Sequence, residues 1–247
     1  NEVTQLIDQL KELMERSSRI LVFTGAGIST GSGIPDFRGP EGVWKKTEPV
    51  LYSEFMESEA KRVEYWRYKA GTFEAFKAAR PNEAHKALVR LERTGRLLAL
   101  VTQNIDNLHR SAGTSNEKLI ELHGTGLCAE CVECYEWSHM AAAVAKFLAT
   151  GKPPKCACGG FLKPAVVMFG EAMPQAELGL ARRAAASCDL VVAIGSTLSV
   201  EPAASVPLSA RADGKPYAII NRGPTAHDSA AVIRIDGAAE EILPRII

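Results

Sequence analysis

The chain lacks net charge: 29 lysines and arginines offset 29 aspartates and glutamates. Nucleic acid and anionic membranes both select a basic face, so neither is expected as the primary partner. No apolar run is long enough to cross a bilayer. The opening stretch NEVTQLIDQLKELMERSSR is amphipathic and charged, without the apolar centre of a signal peptide. Internal repeats and low-complexity tails are missing as well, and no terminal extension is expected to carry a targeting segment. A cytoplasmic protein without a membrane partner is the resulting expectation. A disulfide framework is also lacking. Only six cysteines occur in 247 residues, five of them clustered, in a chain large enough to fold without staples. Clustered thiols in a reducing compartment point to a metal.

What is present is organised around Ile20 to Gly39, ILVFTGAGISTGSGIPDFRG. The apolar run 20–23 reads as a buried parallel strand. It breaks into a turn containing Gly25, Gly27, Gly31 and Gly33, and a helix start is expected after it. A strand, a glycine turn and a helix form the pyrophosphate-binding arrangement of α/β folds. Gly25-Ala26-Gly27 supplies the first two glycines of that fingerprint, while Thr30 stands where the third belongs. The tail Gly33-Ile34-Pro35-Asp36-Phe37-Arg38-Gly39 reads as a loop closing over a ligand. In it Arg38 can meet a phosphate and Phe37 can shield a reacting centre from water.

Further strands are expected at 97–102, 119–122, 162–169, 190–194, 217–220 and 232–235. Helices are expected at 2–16, from Pro81-Asn82 to Gly95, at 175–187 and from Ala239 to Ile246. Aromatics crowd residues 44–76 and read as the core of a small helical lobe. Polar or turn-forming groups follow five strands, at 24–38, 102–107, 123, 195–199 and 221. Open α/β sheets bind ligands at the carboxyl ends of their strands, so one shared crevice accounts for all five. His123 ends its strand and is followed by glycine, where a neutral imidazole can serve as general base. His85, His109, His139 and His227 lack that placement and are read as packing or surface residues. Asp106 has a plain alternative as a helix cap. Cys128, Cys131 and Cys134 precede Cys156 and Cys158 by roughly twenty residues, a spacing like that of a zinc ribbon. Four thiolates make a closed structural site, and spacing leaves open which of the first three is unused. Cys188 reads as buried and inert.

Taken together, GAGIS (25–29), GIPDFRG (33–39), PNEAH (81–85), TQNID (102–106), ELHG (121–124), the cysteine pairs, KPAVVMFGE (163–171), GST (195–197) and IIN (219–221) resemble the sirtuins, NAD-dependent protein deacylases. GPTAHDSA and the ending EEILPRI look closest to the mitochondrial-type class II subgroup. The resemblance implies an α/β fold with a Rossmann-like parallel-sheet domain, built from 1–40, 80–125 and 163–247. It implies a smaller lobe with a helical part at 41–79 and a zinc-binding module at 126–162.

The implied chemistry is removal of acyl groups from protein lysines with consumption of NAD, releasing nicotinamide and O-acyl-ADP-ribose. Transfer of ADP-ribose to protein is the alternative. By resemblance His123, Asn104 and Asp106 are catalytic. The NAD contacts implied are Gly25, Ala26, Gly27, Ile28, Ser29, Ile34, Pro35, Asp36, Phe37, Arg38, Gln103, Asn104, Ile105, Asp106, Gly195, Ser196, Thr197, Asn221, Arg222 and Ala239. Val167, Met168, Phe169, Gly170 and Glu171 are implied to pair with an extended acyl-lysine peptide. The family's spacing from the histidine selects Cys131, Cys134, Cys156 and Cys158 as zinc ligands, leaving Cys128 over. Family members that remove succinyl groups carry a Tyr and an Arg three residues apart. Tyr65 and Arg67 here are two apart and point to different helix faces, so acidic-acyl specificity is not assigned.

Overall fold

The computed structural model describes residues 2–36 and 48–247. Six parallel strands form the main sheet: β1 (Ile20–Thr24), β2 (Leu97–Thr102), β3 (Leu119–Glu121), β7 (Leu190–Ile194), β8 (Tyr217–Asn221) and β9 (Ile233–Asp236). Their spatial order is β3-β2-β1-β7-β8-β9, so the chain reverses direction of travel beside β1. A ligand crevice is expected at such a switch point.

Both faces of this sheet are covered, which is why its strands are apolar at successive positions and do not alternate. Ile20 and Val22 point to one side, into a core shared with Ile7, Leu10 and Met14 of α1 (Glu2–Arg16), Leu88 of α4 (Glu83–Arg93) and Leu243 of α9 (Ala239–Ile246). Leu21 and Phe23 point to the other side. There they meet Leu178 and Ala181 of α7 (Gln175–Ser187) and Val206 of α8 (Ser205–Ala212).

A second core lies in the smaller lobe. It is built from α2 (Tyr52–Glu57), α3 (Glu59–Ala78), α6 (Met140–Thr150) and an antiparallel sheet of order β5-β4-β6. These strands are β4 (Gly124–Cys131), β5 (Trp137–His139) and β6 (Leu162–Val166). Phe55, Trp66, Phe73, Ala129, Met140, Phe147 and Leu162 share one buried cluster. Two side chains tie the elements of this lobe together. The Trp66 indole N–H donates to the Leu162 carbonyl at 3.1 Å. Arg62 donates to the carbonyls of Phe55 and Met56, at the end of α2, and lies 3.8 Å above the Phe161 ring.

The expected helix after the glycine turn is replaced by a 3-10 stretch, Ala26–Ser32, closed by Gly33 at φ 84°. Packing explains the tighter winding: the turn lies on the backbone of the β7 corner, with Gly27 N–H donating to the Gly195 carbonyl at 2.7 Å. The strand expected over 162–169 ends at Val166. That expected over 232–235 runs one residue later.

Candidate active site

Three glycines let the first corner close. A Cβ on Gly25 would come 2.7 Å from the Gly195 carbonyl oxygen, and one on Gly27 would come 2.8 Å from the Gly195 Cα. Gly195 itself has φ +64°, and its Cβ would stand 2.3 Å from Ile28 N. Backbone therefore meets backbone where any side chain would intrude.

The β2 corner joins this one through polar side chains. Gln103 N–H donates to the Thr24 carbonyl at 2.9 Å. Asn104 Nδ2 donates to the Gly25 carbonyl at 3.0 Å and to Ser29 Oγ at 3.4 Å. Ser29 in turn donates to Asp106 Oδ2 at 2.7 Å, while Asp106 Oδ1 accepts the Leu108 N–H at 2.9 Å. Asn107, not Asp106, is the cap of the helix Leu108–Ala112, so the alternative reading of Asp106 as a helix cap is corrected: its carboxylate belongs to the buried network and holds the Leu108 N–H. Burial raises its pKa, and the hydrogen bonds from Ser29 and Leu108 only partly oppose that. The Ile105 carbonyl accepts the Gly126 N–H at 2.8 Å, anchoring the turn to β4.

His85 belongs to this network, correcting its reading as a packing or surface residue. Asn82 caps α4, accepting from Ala84 N–H and His85 N–H, and its own N–H donates to His85 Nδ1 at 3.2 Å. That leaves the proton of a neutral ring on Nε2, 3.3 Å from Ser29 Oγ. His109 and His227 are also buried and bonded, to Thr24 Oγ1 and to the Tyr217 hydroxyl. His139 is exposed, as expected. The spacing of Asn82 and His85 marks the capping arrangement in the sequence, but not the contact with Ser29.

His123 follows β3. Its Nδ1 lies 3.0 Å from the Gln103 carbonyl. A carbonyl only accepts, so Nδ1 carries the proton and Nε2 keeps its lone pair. Burial lowers the pKa of the ring, partly opposed by that hydrogen bond, so the imidazole is neutral near pH 7. Gln103 then links the histidine to the β7 corner, because Ser196 Oγ donates to Gln103 Oε1 at 2.8 Å. Histidine, amide turn and glycine corner form one connected constellation.

A cavity of about 360 Å³ opens from the glycine corner toward β8 and α9. Its walls include Gly27, Ile34, Pro35, Asp36, Gly195, Asn221, Arg222 and Ala239, from four separate stretches of chain. Asn221 Nδ2 donates to the carbonyls of Arg222 and Gly223, which folds the β8 corner around that cavity. Ala26 and Ile28 lie in the 3-10 stretch. Thr197 Oγ1 is 3.0 Å from Ser199 Oγ. Phe37 and Arg38 lie outside the described residues. The segment 167–171 meets the histidine directly: Val167 N–H donates to the His123 carbonyl at 3.0 Å. Met168 is buried, Phe169 accepts from Tyr52 N–H at 2.8 Å, and Gly170 turns with φ +80°.

In the smaller lobe the thiols of Cys131, Cys134, Cys156 and Cys158 all lie within 4.8 Å of one another. The pairs 131–158 and 134–156 are 3.5 and 3.7 Å apart. Four sulfurs about 2.3 Å from a common zinc are about 3.8 Å apart, so the tetrad fits that ion in closed tetrahedral geometry. Cys128 stands outside the tetrad, across from His139 in the β4–β5 pairing.

Fold and site together define a Rossmann-like α/β protein with a four-cysteine small lobe and a polar crevice along its strand ends. The model of the Sir2 family matches residues 25–202. The chain belongs to the Sir2 family. It is 42% identical over 232 residues to NAD-dependent protein deacetylase 1 of Bradyrhizobium diazoefficiens, covering 93% of this chain and 91% of that protein. It is 42% identical over 241 residues to the NAD-dependent protein deacetylase of Sulfurisphaera tokodaii, covering 97% and 94%. A solved Sir2 variant with deacetylated p53 peptide and 3′-O-acetyl ADP-ribose has 34% identity and a TM-score of 0.89, covering 97% and 96% of the two chains. The two deacetylases are bacterial and archaeal, and the expected likeness to a mitochondrial-type class II subgroup finds no support in them.

Proposed function

We propose that this chain removes acyl groups from protein lysine side chains with consumption of NAD. The observation that carries the reading is the state of His123. Its Nδ1 proton is spent on Gln103, its Nε2 is basic, and its carbonyl is bonded to Val167. One residue therefore touches the amide turn and the segment read as the peptide edge.

NAD, when bound, supplies a labile bond between nicotinamide and ribose. The chain's own groups do the rest. The cavity walled by Gly195, Asn221, Arg222 and Ala239 suits the adenosine half. The glycine corner lets diphosphate approach backbone. Asn104 and Asp106, fixed through Ser29, hold the nicotinamide end, and His123 Nε2 takes a proton from a ribose hydroxyl. Val167 to Glu171 offer an edge for an acylated peptide, and zinc on the four cysteines keeps the smaller lobe folded. The curated relatives carry deacetylase names, and the peptide and acetyl-ADP-ribose in the solved relative are the products of deacylation. Nothing comparable favours transfer of ADP-ribose to protein. Neutral charge supports a peptide partner over nucleic acid, and among the described residues no helix is long and apolar enough to cross a membrane. Four reduced thiols fit a cytoplasmic setting.

The test is His123→Ala with NAD and an acetyl-lysine peptide. Nicotinamide release that depends on peptide should fall by at least about a hundredfold, while NAD binding persists. Turnover retained in the variant would remove the base role.

A further inference from the structure

Beneath the segment 167–171 lies an ion pair that neither the glycine corner nor the histidine uses. Lys163 is 4% exposed, on β6. Its ammonium donates to the Val166 carbonyl at 2.8 Å and the Pro164 carbonyl at 3.4 Å, and it lies 3.2 Å from Glu171 Oε1. The second oxygen of that carboxylate, Oε2, accepts the Met168 N–H at 2.9 Å, and Glu171 N–H returns to the Met168 carbonyl at 3.0 Å. The pair thus clamps both ends of a five-residue turn. Val167 N–H is bound to His123 and the Phe169 carbonyl to Tyr52, which fixes the turn on its flanks. Among the described residues the Val167 carbonyl and the Gly170 N–H and C=O have no hydrogen-bond partner. Groups satisfied by the pair face inward, and the unsatisfied ones remain for an extended strand.

We propose that Lys163 and Glu171 are positioning residues, and that the pair of the buried ammonium with the half-buried carboxylate sets the backbone shape of 166–171 that an acyl-lysine peptide reads. This rests on the reading of 167–171 as the peptide edge. A charge pair left half-complete in such a place is costly, whereas replacing both charges by apolar groups is often neutral for stability. That asymmetry separates shape from stability. In Glu171→Leu the ammonium loses its partner and Met168 N–H its acceptor, so both melting temperature and peptide recognition suffer. In Lys163→Met with Glu171→Leu the unpaired charge is gone, yet Met168 N–H and the Val166 carbonyl still lack their anchors.

The experiment measures melting temperature, KM for an acetyl-lysine peptide and KM for NAD in wild type, Glu171→Leu and the double variant. The double variant should regain most of the lost melting temperature. Its peptide KM should stay about tenfold or more above wild type, with the NAD KM within about twofold. A peptide KM that returns to the wild-type value along with stability overturns the inference, as does an equal rise in the NAD KM. Wild-type protein that turns over no acetyl-lysine peptide overturns the functional reading and this inference with it. Wild-type turnover with unchanged peptide KM in both variants overturns the inference alone.

Discussion

Replacing Gly195 by alanine probes the contact on which the whole crevice closes. Two costs arise. The residue sits at φ +64°, a left-handed conformation that costs a side chain roughly 1–2 kcal/mol. The new Cβ would also stand 2.3 Å from Ile28 N and 2.6 Å from the Gly27 carbonyl carbon, so the turn at 25–29 must retreat. Overpacking of that kind adds about 1–3 kcal/mol. Gly214 supplies the control, because it has φ +81° with nothing within 4 Å of a Cβ, so only the conformational cost applies. The alanine at 195 should therefore melt below the alanine at 214 by about 2–12 °C, since one kcal/mol moves the midpoint of a chain this size by about 2–4 °C. Calorimetry gives that difference. Titration with NAD gives its functional counterpart: affinity should weaken at least about tenfold at 195 and stay unchanged at 214. Equal melting points with equal NAD affinity would refute the account of a corner built on backbone contact.

Acid should destabilise the protein early. A free histidine titrates near 6.5, and burial lowers His85 to about 4 and holds His109 well below its usual range. Below pH 6.5 the unfolded chain then binds more protons than the folded one, so stability is full above that pH and falls toward pH 4. For His85 the difference is worth about 3 kcal/mol. Melting curves at pH 7.5 and 5 check this, and a flat profile would contradict it. Burial also lowers His123, so the rate with peptide should hold its plateau to below pH 6.5 and then fall as the base protonates; an acid limb centred above pH 7 would point to another group. Removing zinc with a chelator, or Cys131→Ser, should lower the melting temperature and release one metal ion per chain, because Cys131 is fully buried in the smaller lobe's core. A metal-free protein of unchanged stability would exclude a structural site.

Much of this architecture is legible in the sequence, for physical reasons. β1, β7 and β8 are buried on both faces, so their sequences are unbroken apolar runs. Their ends carry polar groups because a parallel sheet puts its crevice there. The cysteine spacing left the first ligands open, and the cluster of thiols excludes Cys128. Other features had no local signature. β5 has three exposed residues and no alternation to read. The 3-10 winding of 26–32 is imposed by contact with Gly195, far along the chain. His85 looked like a helix residue because its partner Ser29 is 56 positions away. Glu171 is read with the peptide edge, but its pairing with Lys163 depends on the turn after β6 and has no local signature.

Consumption of NAD to free an acylated lysine is tested most directly by product stoichiometry. Mass spectrometry of a reaction with NAD and an acetyl-lysine peptide should show deacetylated peptide, nicotinamide and O-acetyl-ADP-ribose in equal amounts. Nicotinamide accompanied by ADP-ribose on protein and an untouched acetyl-lysine would contradict it.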